Sequence, residues 1–314
     1  MHPDLDRLLA DRGFLTRPEV LEHGLDDRVL TAAVRDKSML RIGAGLYVGP
    51  EFASLRPEEQ HVIRCHAVAT RFDGRVAFSH HSAAVLLGAS VWGTDLETVH
   101  VTRLDSGRGR HQAGVAHHVA VIEDQDLLDV DGLLTTTAPR AAWDVAIRET
   151  TESGLVLVDS MLHLGLADHD SLLREARAHA DWRRARHAKL TFTLGDAGAA
   201  SVGESRSRYL MREFRLPRPE LQVRIYDRDG RLVGIADFGW PELRHLAEFD
   251  GMMKYANGRD LAEEKVREDD IRRLGWGMTR MVWSQLAGAR RRALAAELRA
   301  AMDQSRRQYG HLAA

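Results

Sequence analysis

Asp237, Glu248 and Asp250 lie close together between Leu232 and Tyr255, where the chain reads LVGIADFGWPELRHLAEFDGMMKY. Apolar runs that end at Phe238 and resume at Leu243 flank the breakers Gly239 and Pro241, so the stretch predicts two strands joined by a tight turn. Side chains alternate faces along a strand, so Glu248 and Asp250 point the same way and Ala247 and Phe249 the other. Asp237, at the end of the preceding strand, can lie opposite the two acids. Carboxylates about 5 Å apart repel by about 3 kcal/mol at an effective dielectric of roughly 20, and need a cation, a shared proton or solvent. A divalent metal is the sharpest of those answers. A solvated hairpin edge accounts for the same spacing. The neighbours Ile235, Phe238, Trp240, Leu246 and Phe249 predict instead a packed hairpin whose acids are held for a purpose.

With 314 residues, 44% of them apolar, the chain is long enough for two or three domains with ordinary cores. Cys65 is the only cysteine, which excludes a disulfide framework and a Cys-rich zinc site and suits a reducing cytosol. No charged-then-apolar signal segment opens the sequence and no run is long enough to span a bilayer, so the expectation is a soluble cytoplasmic protein without a membrane partner. The formal charge of −2 conceals arginine clusters between Arg174 and Lys189 and between Arg290 and Arg307. Solvated helix faces and nucleic-acid contact both explain such clusters.

Three regions position these residues: 1–50, 51–190 and 191–314. The first predicts a helix through Leu5, Leu8 and Leu9 stopped at Gly13, a second capped by Thr16 with Pro18 in its first turn, and a third capped by Asp26. A pair of short strands follows between Met39 and Val48. Helices followed by a β wing make the arrangement of a winged-helix module. Its third helix would read the major groove with Asp27, Arg28, Thr31, Arg35 and Lys37, while Arg41 in the wing holds a phosphate. Asp26, Asp27 and Asp36 offset the arginines, so a protein-contact or purely structural role is the alternative.

The second region predicts a mixed α/β body without a nucleotide loop: a helix over 57–71, a strand at Val76-Ala77-Phe78, a helix capped by Ser79 or Ser82, strands over 98–102 and 114–121, then helices to about Leu190. His80-His81 and His117-His118 invite a metal reading, but adjacent residues of a strand face opposite ways, so each pair supplies at most one ligand to a common site. Ser82, His80 and Asp95 lack the surroundings of a nucleophile elbow. The third region predicts a helix from Ser201 to Phe214, alternating strands about Asp229-Gly230, the acid hairpin, a charged helix over 260–274, a strand over 278–283 and a last helix through Leu294, Leu298 and Met302.

The order of helix with Glu204, strand, strand ending in Asp237, strand bearing Glu248-x-Asp250, helix and strand resembles the PD-(D/E)xK nuclease core, and more closely the endonuclease-like domains related to very-short-patch-repair enzymes. Gly203-Glu204-Ser205, Ile235 to Glu242, Glu248 to Gly251, Lys254-Tyr255, Glu264-Lys265 and Arg267-Glu268-Asp269 carry that resemblance. The first half resembles the AbiEi-type antitoxin proteins of actinobacteria, through the winged helix and Phe78-Ser79-His80-His81-Ser82-Ala83-Ala84. Together these imply a multi-domain α/β chain: a winged helix, a mixed α/β middle and a restriction-endonuclease-like α/β/α domain. They imply Mg²⁺ or Mn²⁺ on Asp237, Glu248 and Asp250, with Glu204 and Lys254 also catalytic and DNA as partner. The common motif has lysine where this chain has Asp250, a position Lys254 or Lys265 can compensate. The resemblance therefore also admits a type IV antitoxin-like regulator with an inactive nuclease-like domain, a cognate toxin as partner, or pairing of two copies.

Overall fold

Leu5 and Leu9 recur at helical spacing, and in the computed structural model, which describes residues 3–72, 74–105, 108–251 and 258–312, both are buried on α1 (Pro3–Arg12). Gly13, at φ 74°, donates its N–H to Leu9 O and ends that helix. There follow β1 (Phe14–Thr16), α2 (Arg17–Glu22), α3 (Asp27–Arg35) and the hairpin of β2 (Leu40–Gly43) and β3 (Leu46–Val48). Asp26 caps α3 by accepting the N–H groups of Arg28 and Val29. Strand β1 was not expected from the sequence. It adds an antiparallel edge to the hairpin, in the order β1-β3-β2. Phe14 and Leu15 are both buried because the small sheet is covered on both faces: Leu15 and Tyr47 pack with α1 and α3, whereas Phe14, Leu46 and Val48 pack on Ala67 of α4 (Pro57–Ala69).

A six-stranded sheet comes next, built from β4 (Val76–Phe78), β5 (Val99–Arg103), β6 (Arg110–Gln112), β7 (Val115–Val119), β8 (Leu127–Val130) and β9 (Leu133–Thr136) in the order β6-β7-β5-β4-β9-β8. Between β4 and β5 lies α5 (His80–Leu86), and after β9 comes α6 (Ala138–Ala146). Cys65 and Val68 of α4 bury against Phe78, Val99, Val101 and Val115. The chain then forms α7 (Thr151–His163), α8 (His169–Ala178) and α9 (Ala185–Leu194). It divides into two compact units, Met1–Glu149 with Asp170–Ala188, and Thr150–His169 with Lys189–Ala314. Inside the first, the fully buried Arg140 of α6 joins Asp144, Asp126 and Glu175 of α8 at 3.3, 3.4 and 3.9 Å. Burial lifts the Asp144 and Glu175 carboxyls to about 6 and about 7.

The second unit carries α10 (Val202–Glu213), β10 (Glu220–Tyr226), β11 (Leu232–Trp240), β12 (His245–Asp250), α11 (Gly258–Arg273), β13 (Gly277–Val282) and α12 (Arg290–Tyr309). Its sheet runs β10-β11-β12-β13, antiparallel except for the parallel β12–β13 pair. This is the helix and strand order expected for 191–314. Phe238, Ala247 and Phe249 pack against α10 and against Leu294, Leu298 and Met302 of α12, while Leu246 on the opposite face packs against Ile271 of α11. The unit is therefore three layers, helix, sheet and helix. Gly203 lets α10 approach: a Cβ there would lie inside the Phe249 ring.

Gly203→Ala is expected to destabilise the second unit by about 1–3 kcal/mol, because a ring in a packed core must shift; denaturant unfolding measures it. His245 is 1% exposed, with Nδ1 2.9 Å from Ser305 Oγ and Nε2 3.1 Å from Thr279 Oγ1. Burial holds it down to about 4, below its ordinary 6.5. Between those values the unfolded chain binds the extra proton, so stability falls as pH drops from 6.5 through 4, by up to about 3 kcal/mol. Thermal unfolding from pH 7 to 4 should show this slope in the native chain and a flatter one in His245→Gln.

Candidate functional site

The ladder between β11 and β12 runs from Trp240↔His245 to Phe238↔Ala247 and stops one residue short of Asp237. There a side chain takes over from the backbone, for Asp237 Oδ2 accepts the N–H of Phe249 at 2.8 Å. On its other side β11 pairs Phe238 with Leu221 and Ala236 with Val223, skipping Gln222 and Asp237. Gln222 has φ 51°, in the left-handed region that a side chain disfavours. Leu221 and Phe238 accordingly face α10 and α12, whereas Val223 and Ala236 face α11. Asp237 thus occupies a kinked fork in the sheet, beside the strand that carries Glu248 and Asp250. Irregular backbone of this kind gathers at functional sites.

Glu248 is held by two cations. Arg267 of α11 donates Nη2 to both of its oxygens, at 2.8 and 2.9 Å, and Arg280, its register partner on β13, approaches to 3.7 Å. Arg280 also lies 4.0 Å from Asp250 and 3.3 Å from Glu268. The repulsion expected among the acids is relieved here by guanidinium groups, with charge-assisted hydrogen bonds at part-buried positions. Neither arginine's contact was read from the sequence. In sequence Arg267 stands only within the Arg267-Glu268-Asp269 motif, and pairing Arg280 with Glu248 requires the parallel register.

Glu204 lies at the start of α10 and bonds to its own surroundings: Oε2 accepts from Ala200 N–H at 2.9 Å, Oε1 from Ser201 Oγ at 2.7 Å, and Gln222 Nε2 lies 3.3 Å away. Through Gln222 it touches the kink that holds Asp237. Lys254 falls outside the described residues. In the first unit Arg28, Thr31 and Arg35 recur at intervals of three and four along α3 and are exposed, as are Lys37 and Arg41. Asp27 is engaged by Arg17, at 2.7 and 2.6 Å, which removes one acid from that surface. Lys37, at φ 62°, turns the chain out of the helix, and Arg41 Nε donates to Gly43 O at 3.2 Å.

A second cluster lies in the first unit. Among the described residues, the one set of three His, Cys, Asp or Glu side chains whose ligand atoms all lie within 4.8 Å of one another is His80, His100 and His118; Glu204, Asp237, Glu248 and Asp250 form no such set. Each histidine pair contributes one member: strand alternation accounts for His118 alone on β7, whereas His80 and His81 open helix α5, where alternation does not apply, and His100 is the member that sequence reading missed. In the β5–β7 ladder His100 opposes Ala116 and His118 opposes Thr102, so both point to one face. His80 follows β4 at φ 55°, and its ring stacks on His118 with centroids 3.8 Å apart. Burial holds all three well below the usual histidine range, in the neutral form that binds metals. Ser82 is a core residue: its Oγ lies 2.8 Å from His61 Nε2 and accepts His100 N–H at 2.8 Å.

Among the described residues, fold and sites together define a mixed α/β protein with three sheets, a histidine cluster in the first unit and an acid-arginine cluster around Glu248 in the second. No family model matches the chain. It is a distant homologue of two Mycobacterium tuberculosis proteins, the uncharacterized protein MT2308 of strain CDC 1551 / Oshkosh and the uncharacterized protein Rv2248 of strain ATCC 25618 / H37Rv. It is 26% identical to each over 255 residues, 81% of this chain and 89% of theirs. Among the described residues, no helix is long and apolar enough to cross a membrane.

Arg267→Ala is expected to cost about 1–3 kcal/mol, since it leaves the part-buried Glu248 without its closest cation. Adding Glu248→Gln should recover part of that loss. A double-mutant cycle in denaturant reads the coupling.

Proposed function

We propose that this chain is a cytoplasmic DNA-binding protein with a winged helix at residues 1–50 and a metal-dependent endonuclease-like domain at 191–314, which hydrolyses DNA phosphodiesters in defence against foreign DNA. The observation that carries the proposal is the fork at Asp237, which sets that acid beside Glu248 and Asp250 in a sheet of the expected order. The donors are hard carboxylate oxygens, the set that suits Mg²⁺ or Mn²⁺. Asp237 and Glu248 would hold the ion, with Asp250 beside them, and Arg267 must then yield its place on Glu248. The bound ion supplies Lewis acidity and an activated water. Arg280, between Glu248, Asp250 and Glu268, is placed to offset phosphate charge. On the DNA side, Arg28, Thr31 and Arg35 share one exposed face of α3, with Lys37 and Arg41 as phosphate contacts.

A second reading is favoured by Arg267 on both oxygens of Glu248 and by Asp250 at the motif's lysine position. It is a regulator of the antitoxin type, whose nuclease-like domain binds DNA or a toxin without cutting. Incubation with supercoiled plasmid and Mg²⁺ or Mn²⁺ separates the two. The first expects nicking or linearisation that disappears in Asp237→Ala and Glu248→Ala; cutting that survives both variants rejects this site. The second expects no cutting but a gel shift on the protein's own promoter. In either case Arg28→Ala/Arg35→Ala should weaken specific binding by about 1–3 kcal/mol per lost base contact and relax the sequence preference. Unchanged binding would remove α3 from the interface.

A further inference from the structure

We propose that His80, His100 and His118 form a Zn²⁺ site in the first unit, independent of the acid cluster and of any DNA reading. Three imidazole nitrogens select zinc over magnesium or calcium, which prefer oxygen. Tetrahedral zinc with bonds of about 2.0–2.1 Å sets its ligand nitrogens about 3.4 Å apart. His118 Nε2 and His100 Nδ1 already lie 3.0 Å apart, and all three ligand atoms fall within 4.8 Å, so shifts of at most about 1.4 Å complete the site.

The surroundings complete what the three rings begin. His80 turns Nδ1 toward Ser79 Oγ at 3.0 Å and Asp144 Oδ2 at 3.9 Å, which leaves Nε2 to bind. Ser79 Oγ is itself fixed by a hydrogen bond from Thr102 Oγ1 at 2.8 Å. Asp144 Oδ2 is buried without a hydrogen-bond partner. Ligation of Nε2 makes the opposite N–H a stronger donor, and a carboxylate behind a ligating histidine is the usual device for orienting the ring. Asp144 therefore acquires a function that its bond to Arg140 alone leaves unexplained. Arg148 places a positive charge near all three histidines and opposes a cation there, which Asp144 counters. His100 and His118 keep part of their surface in solvent, so the ion has a way in, and a fourth, exchangeable ligand can be water or an anion.

The test uses the full chain, stripped with a chelator and titrated with ZnCl₂ by calorimetry, and with Co²⁺ by visible absorption. One zinc per chain is expected, with the Co²⁺ bands of a tetrahedral, nitrogen-ligated site. His100→Gln/His118→Gln should lose both signals, while Asp237→Ala keeps them. Far-ultraviolet circular dichroism checks that the double variant is folded, and should it unfold, His80→Gln serves in its place. A native chain that takes up no zinc, or uptake unchanged in the folded histidine variant, overturns the site.

Discussion

The seating of the Phe249 ring beneath Gly203 is the contact on which the arrangement of the second unit depends. It fixes which face of β12 is buried under α10 and α12. Parity then leaves no freedom, because residues on either side of Phe249 must point the other way. Glu248 and Asp250 are thereby committed to the face beside α11, where Arg267 meets Glu248 and Arg280 comes across from β13. A one-residue slip would carry both acids into the apolar layer formed with Leu294, Leu298 and Met302. The hydrophobic packing and the charge arrangement are one constraint, expressed on two faces of one strand.

Much of this was readable in the chain because short-range physics decides it. The alternation of Leu221, Val223 and Ile225 marked β10, Asp26 marked the start of α3, and the recurrence of Leu294, Leu298 and Met302 marked the buried stripe of α12. Strand β1 was not readable: three residues carry no period, and their burial comes from β3 and α4, distant in sequence. The reversal at Gln222 was equally hidden, since it interrupts an alternation that looks regular in the text. The acids of the hairpin were legible by spacing, but the cations on them come from a helix and a strand that follow.

Glu204 and His100 show the same limit from opposite directions. Glu204 sits where the motif places an acid, and the structure ties both its oxygens to the start of its own helix and to Gln222. His100 has no striking neighbour in sequence and becomes a member of a cluster only because β5 and β7 run parallel in one particular register. Local sequence names residue types with chemical capacity. Strand order decides which of them meet.

Cys65 lies at zero exposure in the core of the first unit, on α4 and against the valines of the six-stranded sheet. A thiol so placed is inert until the layers around it part. Since the chain has no other cysteine, the rate at which a thiol reagent labels the native protein counts openings of that one core and is blind to breathing elsewhere. The protein thus carries its own clock for local unfolding, at the layer that supports the histidine strands.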